Sequence, residues 1–235
     1  MAKQEDNKTP VCVGMIMDGN RRWAKENGKT SLQGHLAGYN KMKDVADWVI
    51  EAGIKNLIVY AFSTENWKRA PEEVSYLMDL LRLAVGKELN KFKKKEVRLS
   101  FVGELSKVPA DLRELIEKAT KNTSHFKKLH LIIALSYGGR AEIVNAVKEI
   151  TKAKTKDEIK NMTEDDFSDF LLTKNIPDPD LIIRTSGEIR LSNFLPWQSV
   201  YSELFFTQTY WPDLSREEFN KILSEFYLRQ RRIGK

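Results

Sequence analysis

The chain has 235 residues, 41% of them hydrophobic, enough for one sizeable core and a single expected domain. Lysine and arginine outnumber aspartate and glutamate by 39 to 33, and the net charge of +6 favours anionic partners without choosing among phosphates, nucleic acid and an acidic membrane surface. Cys12 as the single cysteine excludes an internal disulfide or a cysteine-rich zinc site, MAKQEDNKTP lacks the apolar stretch of a signal peptide, and no run reaches the ~18 apolar residues of a membrane span, so a cytoplasmic protein is expected.

Residues 1–10 read as a loosely ordered N-terminus and 11–235 as one domain. Six apolar runs follow in chain order: VCVGMIM (11–17), NLIVYAF (56–62), VRLSFVG (97–103), LHLIIALSY (129–137), DLIIRTS (180–186) and ELFFTQT (203–209). Their near-continuous apolar character marks strands covered on both faces, as in a parallel sheet between helical layers. Helical patterns separate them: NKMKDVADWVIEAG ending at Gly53, PEEVSYLMDLLRLAVGKELNKFKKK opening on Pro71, GGRAEIVNAVKEI, and SREEFNKILSEFYLRQRR with a Ser215–Glu218 capping box. The expected fold is α/β, a mostly parallel sheet of about six strands with helices on both faces. The polar stretch 151–176 reads as a mobile surface insert.

Ligands of open α/β sheets bind beyond the carboxyl ends of the strands. The first strand delivers Asp18, Gly19, Asn20, Arg21 and Arg22 there; the second delivers Ser63, Thr64, Glu65, Asn66 and, further on, Arg69. The fourth brings Ser136-Tyr137-Gly138-Gly139-Arg140, and the fifth Arg184-Thr185-Ser186-Gly187 followed by Arg190, Leu191 and Ser192. Arginine forks and backbone N–H groups at glycines suit diphosphate. Asp18 beside bound phosphates suits a divalent cation, because Mg²⁺ takes one or two carboxylates plus phosphate oxygens. Taken singly, each element has a plainer reading. Asp18 serves equally well as a helix cap, Arg21 and Arg22 as solvated surface, Ser63 and Thr64 as caps, and Trp23 and Trp67 as packing. It is their convergence on one sheet edge that favours a site. Neither G-x-G-x-x-G nor G-x-x-x-x-G-K-[ST] is present, so no nucleotide fingerprint is supported.

In residues 72–90, Val74, Leu77, Met78, Leu81, Ala84 and Val85 form one stripe, which Leu80, Leu83 and Leu89 widen beyond a single core face. A helix that is apolar nearly all round is buried, or its second face lines an apolar channel.

The segments MDGNRRWAK, GHLAG, YAFSTENWKR, SYGGR, RTSGEIRLSNFLPWQ, YSELFF and WPDL, in this order, resemble the cis-prenyltransferases, the undecaprenyl and dehydrodolichyl diphosphate synthase family, from Val11 to the terminal RRIGK. The resemblance implies Mg²⁺-dependent condensation of isopentenyl diphosphate onto an allylic diphosphate, farnesyl or geranylgeranyl, with cis double bonds. It implies a homodimer, transient contact with a membrane surface through the product, and no nucleic-acid partner. By the same resemblance Asp18 holds Mg²⁺ and assists the leaving diphosphate, and Glu203 is the second metal-linked acid. Gly19, Asn20, Arg21, Arg22 and Trp23, with His35, grip the allylic diphosphate; Ser63, Thr64, Glu65, Trp67 and Arg69 belong to the second-strand motif, with Asn66 a candidate for proton removal. Arg184, Arg190, Leu191 and Ser192 form the isopentenyl diphosphate pocket. Three positions depart from common bacterial patterns: Ser31 stands where an arginine is usual, Ile189 where histidine is usual, and Arg21 where glycine is usual. RTSGEIRLS looks closer to archaeal and eukaryotic members.

DDFSD (Asp165, Asp166, Asp169) matches the D-D-x-x-D motif of the trans-prenyltransferases, but that chemistry needs two copies facing each other, and a single copy after Thr163 reads as acids at a helix N-terminus. Two other functions compete with catalysis. A non-catalytic subunit activating a partner would have degraded first-strand and arginine motifs, which are intact here. A nucleic-acid binder would interleave basic and exposed aromatic residues, whereas lysines 91–95, broken by Phe92, form the single dense run and read as a solvated helix end.

Overall fold

The computed structural model describes residues 9–229. All six expected strands form: β1 (Cys12–Ile16), β2 (Asn56–Ser63), β3 (Val97–Val102), β4 (Leu129–Tyr137), β5 (Leu181–Arg184) and β6 (Glu203–Phe206). They build one sheet in the order β3-β4-β2-β1-β5-β6, and every pairing is parallel. On one side of β1 the chain places β2, then the edge strand β3, then β4 between those two, and it crosses to the other side for β5 and β6. The direction therefore switches between β1 and β5, and a crevice opens at their carboxyl ends, the usual ligand position of such sheets.

Each strand splits its side chains between two apolar layers. Val13, Met15, Leu57, Val59, Leu131, Ile133 and Ile183 join a large core with α2 (Ser31–Glu51), α3 (Pro71–Val85), α5 (Ala110–Thr123) and α9 (Arg216–Leu228). Cys12, Ile58, Ile132, Ala134 and Ile182 pack on the other face against Phe194 and Leu195. There Tyr137 donates to Glu142 of α6 (Gly139–Ala153) at 2.6 Å.

Four details differ from the sequence expectations. α2 begins at Ser31, nine residues before the expected start, because Thr30 and Gln33 form a capping box. The helix expected from Pro71 into the lysines breaks at Gly86 into α3 and α4 (Leu89–Lys94). Ser215 caps α9 by accepting from the Glu218 N–H, but the Glu218 carboxylate turns to the hydroxyls of Thr207 and Thr209, so the box is half made. The stretch 151–176 is folded onto the body: it carries α7 (Lys156–Lys160) and α8 (Glu164–Ser168), and the buried Glu142 carboxylate accepts from the Leu172 N–H at 3.0 Å. Gln198 adds a bond to Thr173 at 2.6 Å.

Candidate active site

β1 ends at Ile16, and α1 (Asn20–Glu26) starts four residues later. Gly19 makes that turn at φ 107°, where a Cβ would lie 2.7 Å from the Tyr210 ring. The N-cap of α1 is Gly19, without a side-chain bond, so the capping reading of Asp18 falls. The Asp18 carbonyl instead accepts from Thr185 Oγ1 at 2.7 Å and from the Trp211 N–H at 3.0 Å. With the backbone fixed, the Asp18 carboxylate accepts from Arg184 Nη2 at 2.8 Å and lies 3.2 Å from Arg22 Nη2. Arg184, 4% exposed, also donates to the Arg190 carbonyl at 2.5 Å and to Ser192 Oγ at 2.7 Å, while its buried Nε has no partner among the described residues.

A second carboxylate organises the other side. Glu73, in the first turn of α3, accepts from Arg69 Nη1 at 3.0 Å, shares a 3.0 Å hydrogen bond with His35 Nε2, and lies 3.9 Å from Arg21 Nε. Burial alone would push the Glu73 carboxyl up, but the His35 hydrogen bond and the two guanidiniums outweigh it and hold it below the ordinary range. Burial lowers the His35 pKa despite Glu73, which favours the neutral ring.

These groups surround one end of a cavity of about 1340 Å³. Asp18, Gly19, Asn20, Arg21, Arg22, His35, Ser63, Glu65, Asn66, Arg69, Arg184 and Ser192 line it, together with Lys25, Lys29 and Ser31. The remaining wall is mostly apolar, with Leu77, Leu80, Leu81, Ala84 and Val85 of α3 joined by Met42, Phe92, Leu99 and Ile133. Of the apolar face read from the sequence, Leu77, Leu81, Ala84 and Val85 of the first stripe and Leu80 of the widening positions line the cavity, whereas Leu83 and Leu89 do not.

The other candidates lie behind this surface. Trp23 donates to Asp213 at 2.7 Å, and Trp67 donates to Ser136 Oγ at 2.9 Å while packing edge-on against Phe62. Thr64 follows β2 outside the lining, Leu191 packs into the smaller core, and Arg190 pairs with Glu188. Asn66 Oδ1 is engaged by the Ser63 N–H at 3.0 Å. Glu203 lies elsewhere: it is in register with Leu181 and hence with Val13, at the opposite edge of the sheet, and bonds Arg229 at 2.7 Å. Five strand positions separate that level from Asp18, roughly 16 Å at ~3.3 Å each, so one chain does not bring the two acids together. Ile189 is exposed and brings no ligand atom. The DDFSD acids lie exposed on α8, where Thr163 and Asp166 form a capping box.

Sequence reading missed Glu73, which in PEEV looks like an ordinary dipole-facing acid. It also missed Asn193, whose amide donates to Glu65 at 3.1 Å and accepts from the Arg140 N–H at 2.9 Å, stitching three strand-end loops together. Its left-handed backbone (φ 67°) is a conformation that asparagine tolerates, the one available signal.

No group of three or more metal-ligating side chains occurs among the described residues. The donor set, one hard carboxylate among guanidiniums, fits a divalent cation that arrives with phosphate oxygens, and Asp18 would hold it.

An arginine-lined pocket at the switch point, continuous with an apolar channel, defines a protein that takes an anionic headgroup with a hydrocarbon tail. The comparisons carry this further. A family model described as putative undecaprenyl diphosphate synthase matches residues 16–234. An isoprenyl transferase of Streptococcus mutans is 47% identical, covering 97% of this chain and 94% of its own. A tritrans,polycis-undecaprenyl-diphosphate synthase (geranylgeranyl-diphosphate specific) of Thermoplasma volcanium is 43% identical over 96% and 89%. Lavandulyl diphosphate synthase from Lavandula x intermedia, solved with dimethylallyl diphosphate, superposes with a TM-score of 0.91 at 34% identity, covering 97% and 99%. The chain belongs to the undecaprenyl diphosphate synthase family and is a prenyltransferase. Over the full length, the bacterial and archaeal relatives are about equally similar to it.

Proposed function

We propose that this prenyltransferase condenses isopentenyl diphosphate onto an allylic diphosphate primer, farnesyl or geranylgeranyl, to make a cis-polyprenyl diphosphate. The observation that carries the reading is one cavity with four arginines (Arg21, Arg22, Arg69, Arg184) at one end and an apolar wall at the other. In the reaction the allylic C–O bond breaks and diphosphate leaves with the electron pair. The isopentenyl double bond forms the new C–C bond, and a proton lost from the adjacent carbon to the departing diphosphate restores an alkene.

Arg21, Arg22 and Arg69 bind the allylic diphosphate and neutralise the charge that grows on it as the bond breaks. Arg184 and Ser192, both on the cavity lining, receive the isopentenyl diphosphate. Asn66, its Oδ1 spent on the Ser63 N–H, orients substrate rather than taking the proton. Mg²⁺, held by Asp18 when bound, adds charge neutralisation at the leaving diphosphate. The cavity wall excludes water from the allylic cation, and the growing chain extends along α3.

The protein is further proposed to be a cytoplasmic homodimer that touches the membrane surface transiently through its product. Among the described residues no helix is long and apolar enough to cross a membrane. The intact arginine site argues against a non-catalytic subunit. Incubating the protein with labelled isopentenyl diphosphate, Mg²⁺ and each primer, then separating the lipids, tests the proposal. Labelled cis-polyprenyl diphosphate is expected; no extension with any allylic primer would refute it.

A further inference from the structure

Glu73 does not line the cavity, yet three residues that do, His35, Arg69 and Arg21, converge on its carboxylate at 3.0, 3.0 and 3.9 Å. It is 9% exposed, and it sits on the helix whose next turns form the channel wall. Arg69 would otherwise be a half-buried guanidinium facing a second cation, Arg21, with repulsion driving the two apart. Asp18 gathers Arg184 and Arg22 in the same way across the pocket. Each carboxylate therefore fixes two guanidiniums before substrate arrives, but Asp18 lies at the reacting end and Glu73 behind it.

We propose that Glu73 is a positioning residue that sets Arg69, Arg21 and His35 in place for the allylic diphosphate and fastens that site to the first turn of α3. The proposal rests on the diphosphate reading given above. Its signature is a sign. A buried negative charge close to an anion site opposes anion binding by Coulomb repulsion alone, so neutralising it would tighten binding. A merely structural residue would lower the melting temperature and leave the affinity of the folded protein unchanged. A positioning residue differs in the second respect, whatever its effect on the melting temperature: losing it weakens binding by the folded protein, because two arginine forks no longer start in place.

The test is calorimetric titration of inorganic diphosphate with Mg²⁺ into the wild type, Glu73→Gln and Glu73→Asp, well below each melting temperature. About tenfold weaker binding is expected for the near-isosteric glutamine. The aspartate keeps the charge but shortens the reach by one methylene, and it too is expected to bind more weakly. In an Arg69→Ala background the effect of Glu73→Gln should shrink, because the two act through one contact. Equal or tighter binding by Glu73→Gln overturns the positioning role while the diphosphate reading stands. Equal binding by Glu73→Asp also overturns it, and keeps the role testable if the glutamine variant does not fold. Failure of the wild type to bind diphosphate overturns both.

Discussion

Asp18 and the DDFSD acids were already ranked by the sequence, and their surroundings separate them further. Asp18 is clamped by two arginines at the switch point, while Asp165 and Asp169 lie exposed on a short helix capped through Thr163. Removing both decoys, Asp165→Ala with Asp169→Ala, is expected to leave turnover within about three-fold, since Asp165 in the first turn of α8 and Asp169 at its C-cap are both exposed and neither lines the pocket. Asp18→Ala is expected to lower condensation by several orders of magnitude, each ~1.4 kcal/mol of lost transition-state stabilisation being tenfold. An exposed strand-end acid would be removed without thermal cost, but Asp18 is the partner of a buried guanidinium. Stranding Arg184 should destabilise the alanine variant by about 1–3 kcal/mol. Asp18→Asn, which keeps an acceptor for Arg184, separates the effects: its melting temperature should stay close to wild type while activity is lost. Assays of the three variants beside melting curves decide the point; an active Asp18→Asn enzyme would remove Asp18 from the chemistry.

At the scale of elements, periodicity reveals what contiguous segments do and conceals what distant ones share. The six strands and the breadth of the apolar face on α3 were legible because both are local patterns. The break at Gly86 was readable only in hindsight: a glycine inside a helical pattern is tolerated often enough to be passed over, and here the helix ends at Val85 before it. α1 was expected near Arg21, whereas α5 escaped notice because it is rich in charge. The Glu73 cluster could not be read at all, since His35 and Glu73 are 38 residues apart and meet only once α2 packs beside α3. Glu203 shows the converse. Its motif is clear in the sequence, yet strand register puts it at the sheet's opposite edge. The channel makes a testable statement about α3. Ala84 is buried and lines the cavity, so Ala84→Leu puts three additional carbons where product must pass. Shorter products at near-normal initial rates are expected, with at most about 1–3 kcal/mol of overpacking cost. Chromatography of the lipids beside a melting curve checks it: unchanged product length with a lowered melting temperature would place Ala84 in the core instead.

For the whole molecule, the geometry of the last helix bears on how complete one chain's site is. α9 ends at Leu228, and Arg229 is tied to Glu203 at the lower end of the edge strand β6. The chain thus leaves the described body two strands across from β1 and about five strand positions below the Asp18 level. RRIGK lies beyond, outside the described residues. Exposed Val200 and Tyr201 just before β6 add apolar surface to that edge. The proposed homodimer therefore predicts a division of labour, with the tail of one protomer serving the isopentenyl diphosphate site of the other. Deleting Arg232 to Lys235 is expected to raise KM for isopentenyl diphosphate with the fold intact by circular dichroism. Mixing that deletion with Asp18→Asn should restore part of the activity, because a mixed dimer holds one pocket with both a native Asp18 and a tail from its neighbour. If light scattering shows a monomer, or if mixed dimers form and no ratio restores turnover, the tail does not act across subunits.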